Sequence, residues 1–466
     1  MASKTSRLLL WIAAMGMLIF VAVSLAIVLL LSEAPIALSS QPQWMHLKVG
    51  ASLADAPGNE GMVMDPDDMP PLTTEITRAI TESSTDDDIV GIFLEISDLP
   101  VGWAQTQELR AALIRFRASG KSCVAWSQAY SNKEFFLASV CDEILLAPTG
   151  IFLVNGLSLT TTYFADTLAK LGVEENFEHV GDFKSAVEPY ERTGPSDEAS
   201  QATNALLDSL YDHFIESISE GRNLEADDVR DMIDAPDLTP RGAVDRGLVT
   251  ALSYRDEALE AFAGDEHVDL ADYLRTMRSN WGQSMATVAV IHADGAIVHG
   301  HTSEGLFGDS IIGDRTLSEQ LEDVREDASI AAVVLRVNSP GGSGSASDAI
   351  WHDLRRTAEE KPVVASMSDY AASGGYYIAM AADHVIAQPG TITGSIGVFG
   401  GKLNVQGLYE KLGLSTHTYR RGRLADLLSP TSSFGEDGRS VFTGFLEDFY
   451  GIFLDRTTES RDLTRD

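Results

Sequence analysis

Ser373 stands in DYAASGGYY (residues 369–377), directly after the strand-like run 362–367 and directly before two glycines. A serine hydroxyl on a turn leaving a strand is placed to attack a carbonyl carbon, provided a neighbouring group removes its proton. A second glycine turn, NSPGGSGSAS (338–347), also follows an apolar run. There Gly341 and Gly342 can bring bare backbone N–H groups close to a ligand. With the N–H of Gly374 they offer donors for the oxyanion of a tetrahedral acyl intermediate. Either motif alone is equally well explained as a tight turn opening a helix.

The base is not an obvious histidine. None occurs in TITGSIGVFGG (391–401), and His384, which opens the strand-like HVIAQ, reads as an edge-strand residue. A lysine can serve instead where burial and neighbours lower its pKa from about 10.4 towards 7 or 8. Lys184 in GDFKSAVEPY (181–190) fits that description, between Phe183 and the apolar pair Ala186 and Val187.

The elements that must bring serine and lysine together come from an internal repeat. Shifting the chain by 241 residues, so that Ser127 falls on Ser368, sets Phe135 on Tyr376, Asp142 on Asp383, Pro148 on Pro389, Gly156 on Gly397 and Gly181 on Gly422. Only a slip of about one residue near Lys121 and a short offset further on interrupt the match. Within each copy, runs rich in β-formers (IVGIFLEI, AAVVLRV, PVVASM) alternate with helical stretches at 107–118 and 346–359, which predicts an α/β fold of strand and helix units. The copies occupy 40–264 and 287–466, with a polar joint at 265–286.

The differences between copies carry the functional information. Ser339, Pro340, Gly341 and Gly342 are replaced by Asp98, Leu99, Pro100 and Val101, and Ser373 and Gly374 by Asn132 and Lys133. Lys184 has Ala425 as its counterpart. Serine therefore belongs to the second copy alone and lysine to the first, the pattern left by one site built across two repeats. Tyr211 to Asp227 also matches Tyr450 to Asp466, yet only the first copy continues, so the chain is expected to lack the last part of its second repeat.

With 34 basic and 69 acidic residues among 466, the formal charge of −35 argues against nucleic acid or an anionic membrane surface as a partner of the soluble part. Residues 8–31 are uncharged and apolar, long enough to span a bilayer, and follow Lys4 and Arg7 in the segment 1–7. They predict one uncleaved anchor with a cytoplasmic N-terminus and everything beyond Ser32 outside. Cys123 and Cys141, both in apolar stretches, read more readily as small buried core residues; an extracytoplasmic compartment would permit a disulfide, which the sequence leaves open, and neither has metal-ligand spacing.

Taken together, NSPGGS, SDYAASGGYY, TGSIGVFGG and FKSAVEPY resemble the motifs of the long, two-repeat form of signal peptide peptidase A, a family of membrane-anchored Ser/Lys proteases. The resemblance runs from the apolar segment to Asp466. It implies a tandem of two Clp protease and crotonase type α/β domains behind one transmembrane helix. It also implies Ser373 as nucleophile, Lys184 as general base and Ser395 as the residue that hydrogen-bonds the lysine. Hydrolysis would pass through an acyl-enzyme, with Gly374 and Gly341 or Gly342 at the oxyanion and no metal or cofactor. The implied substrates are signal-peptide remnants at the bacterial inner membrane, with the catalytic part periplasmic. The implied assembly is a bowl-shaped homo-oligomer, a tetramer in the family. Two alternatives differ in their demands: a crotonase-like acyl-CoA hydratase or thioesterase requires glutamates in the site and no Lys184, and a non-catalytic membrane scaffold has no need of either Ser373 or Lys184.

Overall fold

The computed structural model describes residues 42–50, 53–57, 70–264, 266–280, 287–305, 310–461 and 463–465. The expected anchor at 8–31 lies outside the described residues; among those described, no helix is long and apolar enough to cross a membrane.

In the first half, β1 (Gln43–Val49), β2 (Ile89–Ile96), β3 (Ser122–Ser131) and β4 (Glu143–Leu153) pair in parallel. Parallel neighbours require crossover connections, and helices supply them. One is Trp103–Ala118, whose buried Leu109, Ala112, Leu113 and Phe116 recur at helical spacing. Helices over both faces explain why β2 is apolar almost throughout. β5 (Glu174–Val180) leaves the sheet, while β6 (Ala251–Leu252) and β7 (Val268–Asp269) close its edges in the order β6-β4-β3-β2-β1-β7.

The second half repeats the plan. It contains β8 (Thr287–Asp294), β9 (Ala296–Val298), β10 (Ser303–Glu304), β11 (Ser310–Gly313), β12 (Ile330–Ser339), β13 (Val363–Ala372), β14 (His384–Ile386), β15 (Ile392–Gly394) and β16 (Val398–Asn404). Its main sheet runs β14-β13-β12-β8, with β15 also parallel to β13. Each half has its own core, Leu94, Leu109 and Phe135 being buried in the first and Leu335, Ile350 and Tyr377 in the second. The first core extends beyond residue 264: the segment read as a joint carries β7 and the helix Leu270–Asn280, whose Leu270, Tyr273, Leu274 and Met277 pack inside it.

The cysteines depart from the favoured reading. Both are buried, as small core residues would be, but they are joined as a disulfide. The reason is local. Asp142 N–H donates to Cys123 O and the Asp142 carboxylate accepts from Cys123 N–H, so the start of β3 lies against the turn before β4 and the two Cα atoms are 4.7 Å apart.

Several connections among the described residues fix the halves to one another, three of them close to the second half's central strands or to β5. β5 pairs antiparallel with β16 over seven residues, from Glu174↔Asn404 to Val180↔Val398. Asp369 of β13 caps the helix Trp103–Ala118 of the other half, accepting from Gly102 N (2.7 Å), Gln105 N (3.1 Å) and Gln105 Nε2 (2.7 Å). Arg336 of β12, buried at 3 % exposure, donates to Asp55 Oδ1 (2.9 Å) and Glu108 Oε1 (2.6 Å). Such a buried network favours one docking geometry, because removing either side would strand a charge at a cost of about 3–5 kcal/mol.

Candidate active site

β13 ends at Ala372 and the helix Gly374–Ala379 begins two residues later, so the chain must turn within Ser373. It does so at φ 53° and ψ −117°, a conformation that costs a non-glycine residue about 1–3 kcal/mol. Two hydrogen bonds hold it: Ser373 N–H donates to Gly394 O of β15 at 2.8 Å, and Ser373 O accepts from Tyr377 N at 2.9 Å. Ser395, the residue after β15, also has a positive φ, 52°.

Lys184 arrives from the other half on the far end of β5. Gly181, at φ 105°, allows the turn in which Lys184 N–H returns to Gly181 O at 3.0 Å. The aliphatic stem then crosses Gly397, where a Cβ would stand 3.0 Å from Lys184 Cβ, 3.1 Å from its Cδ and 2.9 Å from Val180 O. Nζ ends 3.0 Å from Ser373 Oγ, 3.0 Å from Ser395 Oγ and 3.0 Å from Ser395 O. Lysine is 4 % exposed, and among the described residues no carboxylate pairs with it. Burial therefore lowers its pKa to about 8, against about 3 kcal/mol in the charged state. A neutral amine 3.0 Å from a hydroxyl is in position to accept its proton.

The glycines divide by role. Among the described residues, the N–H groups of Gly374 and Gly342 donate to no protein acceptor, and a Cβ on Gly374 would lie 3.2 Å from Gly342 N. Gly341 N–H instead donates to Ser339 Oγ at 3.1 Å, and that hydroxyl donates to Gly295 O at 2.6 Å. Gly341 is thus corrected as a candidate donor. Its part is steric: at φ 101°, a Cβ there would come within 2.6 Å of Gly374 N and 2.8 Å of Ser373 Cβ.

In the first half the corresponding turn is closed. Lys133 Nζ donates to Leu99 O (2.9 Å) and Val101 O (2.5 Å), and Asn132 Nδ2 donates to Gly156 O (2.8 Å). His384 is remote: it pairs with Val364, at the opposite end of β13 from Ser373, roughly 30 Å away at about 3.3 Å per residue. Sequence reasoning passed over Gly397 as the floor beneath the lysine, Ser339 as the acceptor for Gly341, and Asp369 as a cap. Ser339 and Asp369 carried a usable signal, being replaced by Asp98 and Gln128 in the other copy, whereas Gly397 has Gly156 as its counterpart.

The model of peptidase family S49 matches residues 115–269 and 355–466, more than half of the chain. The chain belongs to peptidase family S49. This S49 chain is 30 % identical over 406 residues to the chloroplast serine protease SPPA of Arabidopsis thaliana, covering 84 % of the chain and 60 % of that protein. It is 31 % identical over 418 residues to Protease 4 of Haemophilus influenzae, covering 84 % and 66 % respectively. It thus spans about two thirds or less of the length of these relatives. Among solved structures, a membrane-bound stomatin-specific protease aligns with a TM-score of 0.27 at 14 % identity, covering 47 % of the S49 chain and 84 % of that one.

Proposed function

We propose that the chain is a membrane-anchored serine endopeptidase of Clp/crotonase-type architecture, in which Lys184 is general base to Ser373. The observation that carries this reading is the contact of a buried lysine, its pKa lowered to about 8, with the hydroxyl of a strained serine at 3.0 Å. Nζ takes the hydroxyl proton as Oγ bonds to the substrate carbonyl carbon, and the carbonyl π pair moves to oxygen. The Gly374 and Gly342 N–H groups hold that oxyanion, each worth about 3–4 kcal/mol in such a role. As the tetrahedral species collapses, the C–N bond breaks and the lysine ammonium gives its proton to the leaving amine. Water, deprotonated by the same lysine, then hydrolyses the acyl ester and restores the serine hydroxyl.

Residues 8–31 would hold this site at the outer face of a bacterial inner membrane, with the catalytic part periplasmic, where apolar signal-peptide remnants are the proposed substrates. The hydratase reading finds no support around the serine: among the described residues, neither Ser373 nor Lys184 is hydrogen-bonded to a glutamate. Hydrolysis of a membrane-embedded signal peptide by wild type, Ser373→Ala and Lys184→Ala tests the proposal. Each variant should lose about 10⁴-fold or more in kcat. Undiminished cleavage by either would overturn the dyad, and cleavage of soluble peptides alone would overturn the substrate assignment.

A further inference from the structure

At the β1 edge of the first sheet, away from the serine, two histidines and an aspartate converge. His46 of β1 lies directly across from Asp269 of β7, and His267 stands just before β7, its ring 5.2 Å from that of His46, centre to centre. One ligand atom from each of the three lies within 4.8 Å of the others. His46 is 2 % exposed, yet its Nδ1 has no hydrogen-bond partner. A buried polar atom left without a partner costs about 1–3 kcal/mol unless something satisfies it.

The second ring nitrogens explain what would satisfy it. His46 Nε2 is 2.8 Å from Glu95 Oε2, and because a carboxylate only accepts, the neutral ring carries its proton there and leaves a lone pair on Nδ1. His267 Nδ1 is 2.9 Å from Gly264 O, a carbonyl, which leaves the lone pair on Nε2. A metal-binding histidine typically donates its other N–H to a carboxylate or a backbone carbonyl, and here one does each. Glu95 is itself fixed by Arg255, whose Nε and a terminal nitrogen donate to its two oxygens at 2.7 and 2.9 Å. His46 Nδ1 and Asp269 Oδ1 are 3.3 Å apart, close to the edge of a tetrahedron with metal bonds of about 2.0–2.2 Å. Lys48 Nζ, 3.9 Å from Asp269 Oδ1, is more than half exposed and can turn into solvent.

We propose that His46 Nδ1, His267 Nε2 and Asp269 Oδ1 bind one divalent transition-metal ion of the zinc class, with water at the fourth position. The donor set, two imidazoles and one carboxylate, suits zinc. The ion would bridge a cross-strand pair and clip the two-residue β7 onto β1, whose ladder consists of the two pairs Met45↔Val268 and His46↔Asp269.

The test is zinc alone, titrated into the full-length, detergent-solubilised protein against a chromophoric chelator. One zinc per chain should bind, His267→Ala and Asp269→Asn should each weaken it at least about tenfold, and His417→Ala, at an exposed position outside the cluster, should leave it unchanged. Excess zinc should raise the Tm of the wild type and not that of Asp269→Asn. If His267→Ala fails to fold, the exposed Asp269→Asn decides alone. Absent binding, or binding and Tm shifts that survive Asp269→Asn, would overturn the site. Peptide hydrolysis plays no part in this readout, so the outcome is independent of the Ser373–Lys184 reading.

Discussion

A lysine whose pKa is lowered by burial makes a specific demand on pH. With its pKa at about 8 in the fold, kcat/KM should rise about tenfold per unit below pH 8 and level off above it; a flat profile between pH 6 and 9 would sink the base assignment. The same burial has a stability signature. Below pH 8 the lysine is charged in both states and the fold bears the full desolvation cost. Between 8 and 10.5 only the unfolded chain remains charged, so the cost shrinks with rising pH and vanishes above it. Lys184→Met should therefore stabilise the protein at pH 7 by as much as about 3 kcal/mol, a gain that fades by pH 10.5 in urea melts. Ser395 can be examined without disturbing its backbone, since Ser395→Gly accepts a φ of 52°. Losing one acceptor of the ammonium should lower kcat about 10–100-fold and move the activity midpoint below 8. An unmoved midpoint would reduce Ser395 to a turn residue.

At the scale of elements, the meeting of Ser373 and Lys184 was legible in the sequence because each copy of the repeat had lost what the other kept. The strand that delivers the lysine was not. β5 reads as an ordinary member of its own repeat, and its partner β16 lies more than 200 residues away in the other. Local pattern carries no information about such pairing. The choice between Gly341 and Gly342 was illegible for a similar reason, since it depends on where Ser339 Oγ points. So was the capping role of Asp369, whose three hydrogen bonds all cross between halves. Asp369→Ala leaves buried donors at Gly102 and Gln105 and should cost about 1–3 kcal/mol in urea denaturation. Because Ser373 is four residues further along, activity should fall with it. A variant as stable and active as wild type would show that the cap positions nothing.

At the scale of the molecule, the β5–β16 ladder is one of two that the repeat can make. Carried through the 241-residue shift, its strands become 415–421 and 157–163, and both are outside any sheet, with Leu159 52 % and Tyr419 87 % exposed. Neither is paired as a strand within the chain, so homo-oligomers are expected to form by pairing 415–421 of one copy with 157–163 of the next, as edge strands tend to do. The register of β5 with β16 sets Leu159 against Tyr419. With Cys123 and Cys141 already bonded to each other, Leu159→Cys combined with Tyr419→Cys should give oxidised dimers and higher species on a non-reducing gel; monomer alone would exclude the pairing. A closed ring of such chains would then alternate two kinds of junction. Inside each chain a lysine meets a serine. Between chains the same fold would bring Ala425 against Asn132, so every second junction would be chemically silent and available to grip a substrate without cutting it.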